Sequence, residues 1–252
     1  MPAIELVILI ILFFITTAVG VVTGSNSLIT VPVMFQFGIN EKVAIATNMF
    51  GLTFMAVGAS IPFLRQRKIN VGKVSPMIVL TVVGSAIGAA LVGLITNQGI
   101  KLMVSIAMIA VTLFTLVRKT PKDGERHAVS TVSLAAAYIL AFLLAIYGGL
   151  YSGGYVTILT ATVVAFFGMT FSEAVAATKL INVFSSLVAT IVFAWQGLID
   201  YNLGLILGVT MFVGAYFGAH YATKLNEVWL RRIFLTTVFL LAIKILYDLF
   251  AS

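Results

Sequence analysis

Cysteine is absent from the 252 residues, which removes disulfides, thiolate nucleophiles and cysteine-ligated metals from consideration. Charge is nearly as scarce. Asp, Glu, Lys and Arg make up 9% of the chain, against 61% hydrophobic residues and a mean hydropathy of +1.15. A soluble domain of this size cannot present such a surface to water, so most of the chain has lipid as its solvent. Catalytic signatures are missing as well: there is no H-E-x-x-H, no G-x-S-x-G and no P-loop. The two histidines, His127 and His220, stand too far apart in the sequence to make a metal site. No cofactor or metal is expected, and an enzyme is not the expected class. The first apolar run has Glu5 as its early charge and lacks both a basic leader and a small-residue cleavage site. It reads as a mature membrane segment and not as a signal peptide.

What the chain does have is a succession of apolar runs with short polar interruptions. In the first half they cover 4–22, 28–37, 43–64, 74–95 and 100–117, and in the second 129–146, 155–167, 174–195, 198–219 and 228–250. Runs of about 18 residues span a hydrocarbon core roughly 30 Å thick. The expected fold is an all-α integral membrane protein: a first membrane repeat over 1–117, a basic cytoplasmic linker over 118–128 and a second repeat over 129–252. The net charge of +7 comes from basic residues in short loops, where cytoplasmic anchoring accounts for them, and nucleic acid is not an expected partner.

The two halves align without a gap at an offset of 130 residues, as for Gly24 and Gly154. Thr30 matches Thr160, Phe37-Gly38 matches Phe167-Gly168, Phe63 matches Phe193, Gln66 matches Gln196, and Gly88-Ala89 matches Gly218-Ala219. Glycines kept in register at unequal spacings are not a product of apolar composition. The charges then indicate how the halves are related. Arg65, Arg67, Lys68 and Lys73 fill the loop after the third run, whereas the matched positions are Trp195, Gly197, Leu198 and Leu203, with Asp200 nearby. Basic loops collect in the cytoplasm. Arg118, Lys119, Lys122 and Arg126, and then Lys224, Arg231 and Arg232, mark two further inner loops, which leaves both termini outside.

Matched loops on opposite sides mean inverted repeats of about four to five helical elements each. Such a repeat needs an odd number of crossings per half, either five or three plus a re-entrant hairpin. The run over 28–37 reaches only about 15 Å as helix, half a membrane. Broken or re-entrant elements are therefore expected near 20–27 and 148–154. Irregular backbone at that depth is tolerated where it is buried in protein or lines a wet cavity, which makes the breaks candidates for a binding site.

The eight carboxylates fall in loops or within about two turns of a predicted helix end, which argues against a buried proton relay or a carboxylate-built cation site. Lys179 lies inside the run over 174–195, with Asn182 and Ser186 on its face and Thr178 and Ser185 flanking. Its charge beside helix N-termini suits a small anion. Two structural readings stand beside that one: a lysine snorkelling to the interface, or one paired with Glu173. Met49 occupies the matched position of the first half, preceded by Thr47 and Asn48, so the site is expected to be asymmetric. The candidate substrate-binding residues are Gly24, Ser25, Asn26, Ser27, Thr47, Asn48, Gly153, Gly154, Thr178, Lys179 and Asn182. Gly84, Gly88, Ala89, Gly214, Gly218 and Ala219 form small-xxx-small patterns suited to helix packing.

Together, Gly24, Val31-Pro32, Phe37-Gly38, Ala44-Ile45-Ala46-Thr47-Asn48, Tyr147-Gly148-Gly149, Lys179, Asn182, Phe193, Gly197, Ile199-Asp200 and Gly214 give a chain that resembles, over nearly its full length, the TauE/SafE-type sulfite exporter-like transporters. It departs from that pattern at Gly24-Ser25-Asn26-Ser27 in place of a glycine run, at Met49 in place of a lysine, at Ser152-Gly153-Gly154 and at Ala176-Ala177. The resemblance implies transport of sulfite, an organosulfonate or a related sulfur oxyanion across an inner membrane, usually export. The residues themselves reach "anion" and stop there. An anion channel, or a membrane enzyme or assembly subunit, are the alternatives, and a homodimer is left open.

Overall fold

The computed structural model describes residues 3–24, 26–65, 71–117 and 131–221, together with 239, 243 and 247. Ser25, Arg67, Lys68, the basic linker, Lys224, Arg231, Arg232 and all of the last apolar run but those three positions lie outside the described residues. The described residues form nine helices and no strand: α1 (Ala3–Thr23), α2 (Ser27–Gln36), α3 (Glu41–Arg65), α4 (Val71–Val92), α5 (Asn97–Val117), α6 (Thr131–Leu150), α7 (Tyr155–Phe167), α8 (Phe171–Trp195) and α9 (Tyr201–Tyr221). Six of them, α1, α3, α4, α5, α8 and α9, are long and apolar enough to cross a membrane. With 10 and 13 residues, α2 and α7 reach only about 15 and 20 Å at 1.5 Å per residue, too short to cross alone.

Helix boundaries follow from local chemistry, and they repeat. Asn40 Oδ1 accepts from Lys42 N at 3.1 Å where α3 begins. At the matched start of α8, Thr170 and Glu173 form a capping box, with bonds of 3.3 and 3.0 Å. Asp200 Oδ1 accepts from Leu203 N at 3.1 Å at the head of α9. The C-termini of α2 and α8 close in the same way, with left-handed Gly38 (φ 73°) and Gly197 (φ 66°) and bonds from Ile39 N to Met34 O and from Leu198 N to Phe193 O. These caps explain where two carboxylates sit, and an ion pair explains a third. Glu173 and Asp200 cap helices, and Glu41 pairs with Lys101 at 2.9 Å.

Glycine contacts set the helix directions. Gly204 lies against Phe50 and Gly208 against Phe54, so α3 and α9 run parallel. Gly214 meets Phe14 and Gly218 meets Ala18, which makes α1 parallel to both; Gly84 meets Ala145 and Gly88 meets Leu150, which makes α4 parallel to α6. Ser85 bonds to Ser185 at 2.7 Å and Gln196 Nε2 donates to Ala89 O at 3.1 Å, so α8 runs with α4. Lys42 Nζ at the start of α3 donates to Gly93 O just past the end of α4 at 2.9 Å, which fixes the two sets as antiparallel.

These directions place the breaks. α1 begins at the end of the bundle where α3 begins, and α2 leads back to that end. α6 begins at the opposite end, where α8 begins, and α7 leads back there. Each pair is a hairpin that enters and leaves by one end, and the two enter from opposite ends. The breaks fall at 24–26 and 151–154. Gly20, Gly148 and Gly149, expected to belong to the breaks, are helical instead. They serve close approach: a Cβ on Gly20 would lie 3.0 Å from Asn26 Cβ, and one on Gly148 would lie 2.7 Å from the Tyr155 ring. The small-xxx-small glycines act as expected, since α4 and α6 touch at Gly84 and Gly88, and α9 and α1 touch at Gly214 and Gly218.

Candidate functional site

The tips of the two hairpins meet. Ser27 Oγ, at the start of α2, lies 2.7 Å from Ser152 Oγ in the second break, and Tyr151 OH donates to Ser27 O at 3.0 Å. Gly24 (φ 79°) allows the first tip to come this near, because a Cβ there would lie 3.1 Å from both Thr157 N and Thr157 Oγ1 at the head of α7. Gly154 (φ 80°) makes the matching turn in the second half and packs against Val111 of α5. The non-helical backbone is buried at Asn26 and over 151–154, and burial in protein is the condition under which a bilayer tolerates it.

Beside the joined tips lies a cleft between α1, α3 and α8. Gly20, Gly24, Asn26 and Ser27 line it from the first hairpin, Ser152 and Val156 from the second, and Lys179 and Asn182 from α8. The remaining wall, from α3, is Leu52, Met55, Ala56 and Ala59. The cleft is narrow, with a volume of about 20 Å³ at its centre, roughly the room for one water molecule.

Lys179 is 4% exposed and stands eight residues into α8, about 12 Å from its start. It makes no hydrogen bond or ion pair with any described residue. Both readings that gave it a structural task lose support: it is too buried to snorkel, and Glu173 is engaged at the helix cap. Asn26 is 3% exposed, and neither its amide nitrogen nor its side-chain oxygen has a partner among the described residues. Buried polar groups are nearly always satisfied, and an unpaired buried charge is costlier still. Three such groups open on one cleft, with Asn182 also lining it, which makes it the candidate site.

A chain of hydrogen bonds supports the tips from behind. Thr30 donates to Asn48 Oδ1 at 2.7 Å, and Asn48 Nδ2 donates to Ser27 Oγ at 2.9 Å. At the matched positions Thr160 bonds to Thr178 at 3.0 Å. Each pair ties a short helix to the crossing helix that follows it.

Of the residues singled out from the sequence, Gly24, Asn26, Ser27, Lys179 and Asn182 come together in the cleft, and Asn48 stands one bond behind it. Thr178 faces Thr160, and Thr47 Oγ1 accepts from Asp200 N at 3.0 Å, which joins α3 to the head of α9. Gly153 and Gly154 shape the second tip without lining the cleft, and Gly153 O accepts from Tyr147 OH. Ser25 is outside the described residues. Sequence reasoning missed Ser152 and Tyr151. Ser152 was visible as a small polar residue beside the paired glycines, whereas nothing in the sequence marks Tyr151 as reaching the other half.

A larger cavity of about 550 Å³ lies between α5, α6 and α7, lined by Leu102, Met103, Ile106, Val111, Leu144 and Ile158, with Tyr147 contributing the polar edge. It offers an anion no charge, so the smaller cleft is the candidate site.

Among known proteins, the family described as sulfite exporter TauE/SafE matches residues 8–245. A probable membrane transporter protein of Haemophilus influenzae strain Rd is 26% identical over 244 residues, covering 96% of this chain and 95% of its own length. The probable membrane transporter protein YfcA of Escherichia coli K12 is 25% identical over 242 residues, 94% of this chain and 89% of its own. A probable membrane transporter protein of Sinorhizobium is 25% identical over 235 residues, with 93% and 90% covered. No solved structure matches significantly. With nearly its whole length matched, the chain belongs to the sulfite exporter TauE/SafE family of multi-pass membrane transporters.

Proposed function

We propose that the chain is a secondary transporter that carries a small anion, of the sulfite, organosulfonate or related sulfur-oxyanion class, out across the inner membrane by alternating access. The observation that carries this reading is Lys179, a buried cation without a partner among the described residues, opening with Asn26 and Asn182 onto a cleft at the junction of two hairpins. An anion there relieves the lysine's burial cost, and attraction between opposite charges strengthens in a low-dielectric site.

Alternating access is supported by the hairpins entering from opposite ends and meeting at their tips, so that each closes one route to the cleft. The matched helices α3 and α8 finish at opposite ends of α4, since Gln196, just after α8, bonds near the C-terminus of α4, where it is the start of α3 that lies, through Lys42 and Gly93 O. That arrangement supports inverted repeats, with the basic loops inside and both termini outside.

The test is Lys179→Gln in reconstituted vesicles, with sulfite and sulfonate uptake and ligand-induced thermal stabilisation measured together. Binding is expected to weaken by at least about tenfold, the cost of one charge-assisted contact. Lys179→Arg keeps the charge but misfits a compact site, and recovers binding only in part. Normal expression of Lys179→Gln with unchanged affinity would assign the lysine a structural role. Saturable counterflow of substrate separates this carrier from a channel.

A further inference from the structure

Resting on that reading, we infer that the cleft selects a monoanion over a dianion of the same shape, with the charged face of the ligand toward α8 and an uncharged face toward α3. Among the described residues, Lys179 is the one charged group lining the cleft. The groups that face it from the first hairpin are glycine, Asn26 and Ser27, those from the second are Ser152 and Val156, and its neighbour on α8 is Asn182, all uncharged. Glu173 is held at the cap of α8, and Glu41 and Asp200 stand at the far end of the bundle. One positive charge therefore meets the ligand, and a second negative charge would be buried without compensation.

The α3 wall makes the selectivity directional. Leu52, Met55, Ala56 and Ala59 offer neither donor nor charge. Leu52 occupies the position matched to Asn182, and Met49 the position matched to Lys179. The repeat thus supplies polar groups from α8 and apolar ones from α3 at equivalent places. Once the cleft widens beyond its one-water space to admit a tetrahedral oxyanion, a ligand seated against Lys179, Asn182 and Asn26 turns one substituent toward α3. When that substituent is a methyl group, it gains apolar contact. When it is a charged oxygen, it loses water and finds no donor, a penalty on the order of 10- to 100-fold in affinity for an unsatisfied buried group.

Methanesulfonate and sulfate are the deciding pair, because they share a tetrahedral sulfur and differ by one methyl for one charged oxygen. Both keep a fixed charge at neutral pH. Binding of each to the purified full-length protein is measured by calorimetry at one pH and one ionic strength. The expected result is methanesulfonate at least about tenfold tighter than sulfate, with the gap narrowed or reversed in Leu52→Lys, which places a second cation on the α3 wall. Sulfate equal to or tighter than methanesulfonate on the unmodified protein overturns the inference while leaving the anion reading intact. Leu52→Lys that folds, binds methanesulfonate and gains nothing for sulfate also counts against it. If neither anion nor sulfite binds the unmodified protein, the transport reading itself fails. The comparison on the unmodified chain stands whether or not the variant folds.

Discussion

Ser27 and Ser152 share a single hydrogen bond of 2.7 Å across the junction of the two hairpins, and Ser27 already accepts from Asn48. Two hydroxyls joined by one bond leave one proton over, and both side chains line the cleft. Whichever hydroxyl donates, an O–H is available to a bound oxyanion. Ser152→Ala is expected to weaken anion binding by roughly 2- to 12-fold, the range of one neutral hydrogen bond. Ser152→Thr, which keeps the hydroxyl, is expected to restore most of the loss. Unchanged affinity in Ser152→Ala, read by calorimetry, would mean that the pair only pins the tips together.

Gly24 and Gly154 both hold left-handed backbone against a neighbouring element. A side chain at either position carries about 1–2 kcal/mol of conformational cost before any contact is counted. At Gly24 the added Cβ also crowds Thr157 at 3.1 Å. Gly24→Leu and Gly154→Leu are expected to reach the membrane and to abolish transport, which uptake assays run beside immunoblots of the membrane fraction will check. Full transport by both variants would remove the site from the breaks.

The packing glycines predict a different outcome. A Cβ on Gly88 would fall 2.7 Å from Leu150 N, and one on Gly218 would fall 2.8 Å from Ala18 Cα, both rigid backbone. Gly88→Leu and Gly218→Leu are expected to lose about 1–3 kcal/mol or more, through overpacking that pushes two helices apart, and to show a lower Tm and reduced accumulation. Gly38→Ala is the control. Nothing lies within 4 Å of its added Cβ, so only its positive φ of 73° opposes the change, and a smaller loss of about 1 kcal/mol is expected.

Topology is testable because the chain has no cysteine of its own. Lys68→Cys and Asp200→Cys are expected to react with an impermeant maleimide from opposite sides of the membrane, position 200 from outside and position 68 only after permeabilisation. Labelling of both from one side would end the inverted-repeat reading.

The sequence carried the helices well because lipid imposes length and apolarity on every crossing, and because the repeat reported each helix start and stop twice. Phe37-Gly38 and Phe167-Gly168 end α2 and α7 at equivalent places. Lys179 was legible by the cost of its charge, and Gly24 by its repeat at Gly154. Two things were not legible. Whether α2 crosses or turns back depends on which neighbours it meets, and that emerged only from the contacts of glycines on α9 and α4. The membership of the cleft was the other. Thr47 and Thr178 share the polarity of Asn182, yet their hydroxyls bond to Asp200 N and Thr160 respectively. Local polarity does not say which way a hydroxyl points or what it reaches.

The joined tips also bear on biogenesis. Ser27 and Ser152 are separated by 125 residues, and a ribosome making about 5–20 residues per second needs roughly 6–25 s to deliver the second after the first. Throughout that interval Asn26, Ser27 and Asn48 belong to a half whose cross-tip partner does not yet exist. The first hairpin is then a polar wedge in search of cover, held by water or by the insertion machinery until the second arrives. Synthesis of the first half delivers helices to the bilayer; the closed cleft is a product of both halves, and assembly is completed late.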